Sequence, residues 1–154
     1  MTTIYSIGHS NHEPDAFLAL LHQHGVELLV DVRSSPYSRY VPHANRQNLA
    51  HMLKAAGINY KWMGDRLGGK PDGVVADYDA LAASPGFQQG VSELISLANT
   101  RSTAVMCSEG SHQQCHRYKL ISPALEARDV HVLHIQPDGD VVDEAKIPKQ
   151  LALF

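Results

Sequence analysis

The eight residues VELLVDVR (Val26–Arg33) run almost unbroken in apolar side chains until Asp31. A strand with one wet face alternates apolar and polar residues. A continuous run instead suits a strand covered on both faces, as in a parallel sheet sandwiched between helices. Parallel neighbours need long crossover connections, so such a strand predicts helices on either side of it in the chain.

The flanking sequence supplies them. TIYSIGH (Thr3–His9) is rich in β-branched and aromatic residues and reads as a first strand. In PDAFLALLHQHG, Pro14 suits a first helical turn, Phe17, Leu20, Leu21 and His24 fall on one face, and Gly25 is a stop. Asn45 is placed to cap a helix through RQNLAHMLKAAG, and INYKWMG is a third strand. A Gly-rich loop, GDRLGGKPDGVVAD, leads to helical segments at Tyr78–Ala83 and Phe87–Asn99. TAVMC (Thr103–Cys107) is a strand, CHRYKLISPALEAR a helix that Pro123 should kink or split, and VHVLHIQ (Val130–Gln136) a last strand before a PDGD turn. This alternation predicts a single α/β domain over residues 1–154: three layers, with a mostly parallel central sheet flanked by helices.

Composition bounds the function. A chain of 154 residues, 44% apolar and 19% charged, buries a core without disulfide help. The N-terminus lacks a basic region followed by a long apolar run, and no stretch reaches the length of a membrane span. A cytoplasmic location without membrane contact is therefore expected, where thiols stay reduced and a structural disulfide is not anticipated. The formal charge of −3 speaks against coating nucleic acid non-specifically.

In such folds ligands bind outside the carboxyl ends of the strands. The polar residues of note gather there: Gly8-His9, Asp31-Arg33, Met63-Gly64 and Met106-Cys107. Both cysteines lie in one stretch, MCSEGSHQQCHR. Cys115 sits where a helix should begin, and the free N–H groups there would stabilise a thiolate or a bound anion, with Arg117 adding a bidentate contact. Cys107 reads equally as a small buried strand residue. Arg33, Arg39 and Arg46 alternate with Tyr37, Tyr40 and His43, a mix suited to an anionic, planar ligand or to a solvated loop. Asp31 reads as structural, orienting Arg33 or capping a backbone N–H. His9 could move a proton. The remaining histidines, His22, His24, His51, His131 and His134, read as structural, and only His134, near a strand end, could reach the site. The C-x7-C-H spacing lacks the tight geometry of zinc sites, and no phosphate loop or nucleophile elbow is present.

With these segments assembled, the chain resembles the family called domain of unknown function 488. The likeness spans nearly the whole chain and rests on IGHSN, DVRSSPYSRYVPHAN, LGGKP and MCSEGSHQQCHR; Ala44 replaces a usual aromatic residue and His112 a common proline. The resemblance implies that His9, Arg33, Tyr37, Arg39, Cys107, Glu109, Cys115, His116 and Arg117 form one site, and it implies no substrate. A looser likeness to rhodanese domains rests on the strand-plus-arginine segment and on Cys107 after a strand. The arginine that closes their cysteine loop is missing: Gln113 stands there, and Arg117 comes later.

The leading expectation is an enzyme or binder for an anionic small molecule, with a nucleotide-like one as the narrower reading. Arg33, Tyr37, Arg39 and Arg117 would hold it. His9 or His116 would move protons beside Glu109, and Cys107 or Cys115 would supply a nucleophile. The rival is a redox- or metal-responsive sensor using Cys107 and Cys115; sulfur transfer and nucleic-acid binding rank below it. No cofactor and no metal are assigned. On this view Arg33→Ala removes binding without unfolding the chain.

Overall fold

The computed structural model describes residues 2–8, 13–34, 45–68, 78–107 and 120–144, with backbone alone at 78 and 79. Its six strands are β1 (Thr3–Gly8), β2 (Leu28–Asp31), β3 (Asn59–Trp62), β4 (Thr103–Cys107), β5 (His131–Ile135) and β6 (Val141–Asp143). They form one sheet in the order β3-β2-β4-β1-β5-β6, and every pairing is parallel except β5 with β6. The helices are α1 (Pro14–Gln23), α2 (Arg46–Ala55), α3 (Gly64–Leu67), α4 (Tyr78–Ala83), α5 (Pro85–Thr100) and α6 (Ser122–Glu126). Helices cover both faces, which makes this a three-layer α/β fold. Among the described residues, no helix is long and apolar enough to cross a membrane.

Each face of the sheet has its own core. Phe17, Leu20 and Leu21 of α1 and Leu49 and Leu53 of α2 pack on Leu29, Ala104 and Met106. On the opposite face Phe87, Val91 and Leu94 of α5 and Leu125 of α6 pack on Val30, Val105 and Val132. Alternate residues of β2 and β4 thus feed different cores, and both strands are buried at every position. That double burial is why VELLVDVR shows no alternation.

Local chemistry sets the helix ends. α1 starts with Pro14 in its first turn and stops where Gly25 takes φ +66°. There the Val26 N–H donates to the Leu21 carbonyl at 3.0 Å, closing the helix before β2 begins. α5 starts two residues before Phe87, because the Ser84 hydroxyl accepts from the Phe87 N–H and Pro85 fills the first helical position. In α6, Pro123 lies in the first turn, where its missing N–H breaks no intrahelical bond.

Four expectations need correction. His24 lies just past α1 as its cap and not within it, half-buried beside Tyr5, with its Nε2 at 3.0 Å from the Gly139 carbonyl. β2 is shorter than the run that predicts it. GDRL is the short helix α3 and not loop. β6 follows a turn in which Gly139 takes φ +93° and its N–H donates to the Gln136 carbonyl at 2.9 Å.

Candidate functional site

Strand order defines where a ligand crevice opens. The chain leaves β1 toward β2 across one face and leaves β4 toward β5 across the other. β1 and β4 are neighbours, with Gly8 in register with Cys107, so their carboxyl ends form the topological switch point. Cys107 is 1% exposed and disulfide-bonded, where a reduced thiol was expected. The only other cysteine in the sequence, Cys115, lies outside the described residues.

One strand away, Asp31 is in register with Met106 of β4 and Trp62 of β3. Its carboxylate is 0% exposed and accepts four hydrogen bonds. Oδ1 takes the Arg33 backbone N–H at 3.1 Å and Arg33 Nε at 2.8 Å. Oδ2 takes Arg33 Nη2 at 2.7 Å and the Tyr60 hydroxyl at 2.6 Å. Asp31 therefore both orients Arg33 and caps a backbone N–H. Arg33 is itself only 4% exposed, and Asp31 engages two of the five guanidinium N–H groups.

The backbone around Arg33 is fitted as closely as its side chain. The indole Nε1–H of Trp62 donates to the Arg33 carbonyl at 2.8 Å. A Cβ on Gly64 would lie 1.7 Å from that same oxygen, and one on Gly68 would lie 2.2 Å from Ser34 Oγ. The glycines of this segment thus admit the chain's own Arg33–Ser34 backbone. Gly68 approaches Ser34 of the same chain closely.

Burial first, then the Asp31 charge and the hydrogen bond to it, push the Tyr60 phenol above its ordinary range. The native state then keeps a proton that the unfolded chain releases near pH 10. Stability from this group is whole below about pH 10 and falls as pH rises through and beyond it. Tyr60→Phe should flatten the alkaline fall in stability by at most about 1.4 kcal/mol per pH unit, measured by urea unfolding between pH 9 and 11. An unchanged slope would mean that Tyr60 ionises freely.

Beside this cluster, the exposed Arg46 opens α2 and places its guanidinium carbon 4.7 Å from the centroid of the Trp62 ring. On the opposite face of the sheet a second polar cluster is buried. His134 Nδ1 meets the Ser6 hydroxyl, and its Nε2 lies 2.9 Å from Glu144 Oε2. Ser6 and His134 are 0% exposed and Glu144 is 3% exposed. A carboxylate only accepts, so Nε2–H donates to Glu144, and in the neutral imidazole Nδ1 accepts from the Ser6 hydroxyl. His22 and His131 bond neighbouring elements, at the Ala56 carbonyl and at Asp143.

Of the residues proposed from sequence, the structure describes Arg33 and Cys107; His9, Tyr37, Arg39, Glu109, Cys115, His116 and Arg117 lie outside the described residues. Tyr60, Trp62 and Glu144 went unnoticed. A signal for the first two existed: Tyr60 and Trp62 are two apart on a strand and therefore share one face. No group of three potential ligands close enough to hold a metal ion occurs among the described residues. A hollow of about 510 Å³ lined by Thr3, Glu27, Asn99, Arg101 and Ser102 lies at the amino ends of the strands, away from these clusters. A family model described as Domain of unknown function DUF488 matches residues 13–122. No curated protein and no solved structure matches the chain.

Proposed function

The chain belongs to the DUF488 family, and from that premise we propose that it binds a small anionic molecule at the carboxyl ends of β1, β2 and β4. The observation that carries this reading is the switch point between β1 and β4, with the Asp31-held Arg33 at the next strand end. A guanidinium locked by a carboxylate is pre-oriented, so little rotamer entropy is lost when an anion meets it. His9, Tyr37, Arg39, Glu109, Cys115, His116 and Arg117 supply further groups in the connections that leave these strands. Their chemistry suits proton transfer and anion contact, with a nucleotide-like ligand as the narrower case. The disulfide at Cys107 favours a second reading, in which thiol oxidation controls the same crevice.

Both readings meet in one titration. Backbone amide shifts are followed by NMR while a panel of phosphates and nucleotides is added, with and without a dithiol reductant. Shifts should cluster at Gly8, Val32–Ser34 and Cys107. Shifts confined to Glu27 and Ser102, at the other end of the strands, or no binding by any member of the panel, would sink the proposal. Affinity that changes with the reductant supports the redox reading, and equal affinity in both states removes it.

A further inference from the structure

Arg46 over the Trp62 ring stands at the edge of the proposed crevice. Trp62 is in register with Asp31, half-buried, and tied through its indole N–H to the Arg33 carbonyl. Its ring is therefore held in fixed relation to the Arg33 guanidinium through the Arg33 backbone. Arg46 is exposed and places its guanidinium carbon 4.7 Å from the centroid of that ring. Planar guanidinium groups stack on aromatic rings on either side. Arg46 carries positive charge toward the Asp31 cluster as well, since its field acts on the Tyr60 phenol.

We infer that Trp62 and Arg46 form a stacking shelf for a planar ring on the ligand, while the phosphate or carboxylate of the same ligand lies toward Arg33. The inference rests on the anion-binding reading and narrows it to a small molecule that carries both an anionic group and a flat heteroaromatic ring. The shelf discriminates by ring, because a guanidinium and an indole stack on π-faces and leave an aliphatic group without that contact. Arg46 is at the first position of a helix and exposed, so replacing it leaves the cores intact.

The test compares a nucleoside 5′-monophosphate with ribose 5-phosphate, which has the same anion and no ring, by titration calorimetry on the full chain. The nucleotide should bind about tenfold tighter or more. Arg46→Ala should erase that preference, and Arg46→Lys, which keeps the charge and loses the plane, should keep ribose 5-phosphate affinity without restoring it. Trp62 is the sole tryptophan of the sequence, so the nucleotide should also quench its emission and ribose 5-phosphate should not. If the two ligands bind equally, or if Arg46→Ala keeps the preference, the shelf is wrong and the anion site stands. If neither binds, the anion reading falls and the shelf with it. Tighter binding of a single-stranded oligonucleotide than of the mononucleotide would overturn the small-molecule assignment.

Discussion

Arg33→Ala should lower stability by about 3–5 kcal/mol, because it leaves the Asp31 carboxylate buried without its counter-charge. For a chain of this size that is a fall in Tm of roughly 6–20 °C by calorimetry. Two of the four hydrogen bonds to Asp31 come from the Arg33 guanidinium, and a third comes from the Arg33 backbone, whose path that side chain helps to hold. The Tyr60 hydroxyl remains and cannot neutralise a buried charge. Removing both charges, as in Asp31→Leu with Arg33→Met, should cost less than Arg33→Ala alone, since an apolar pair of similar volume needs no solvation. A single variant as stable as the parent would mean that water reaches Asp31. The result also decides how the site is probed. An arginine that looks from sequence like a removable clamp is part of the frame, so loss of ligand binding in Arg33→Ala would not by itself locate the anion.

The difference between those two views of Arg33 shows how much a sequence exposes. β4 ends where its apolar run ends, at Cys107, because hydrophobic burial on both faces is written in consecutive residues. The turn at Gly25 is equally plain, since a positive φ favours glycine. Burial of a charged residue is not written locally. Whether Arg33 faces water depends on Asp31 two residues earlier and on Tyr60, which approaches from another strand. β6 escaped notice because three residues give no period, and its place on the edge depends on pairing with β5. Trp62 and Arg46 are separated by a helix in sequence and by 4.7 Å in space, so a reading by segment credits Arg46 to its loop and Trp62 to its strand.

His134→Leu is the second large loss expected, about 2–5 kcal/mol, because it strips the partner from a carboxylate and a hydroxyl in an apolar setting. Ser6 lies on β1 in register with His134 on β5, and Glu144 directly follows β6. The histidine therefore links three strands, the last of which has only three residues in the sheet. Hydrogen exchange separates this role from mere packing. Amides of Val141–Asp143 should lose protection in His134→Leu far more than those of β4, which is held on both sides by parallel neighbours. Glu144→Gln, which keeps an acceptor for Nε2–H, should lose much less stability and leave β6 protected. If β6 and β4 lose protection equally in His134→Leu, the cluster supports the core in general and does not tie the edge strand. If they differ, the antiparallel edge owes its place to a buried Ser6–His134–Glu144 chain more than to its own three residues.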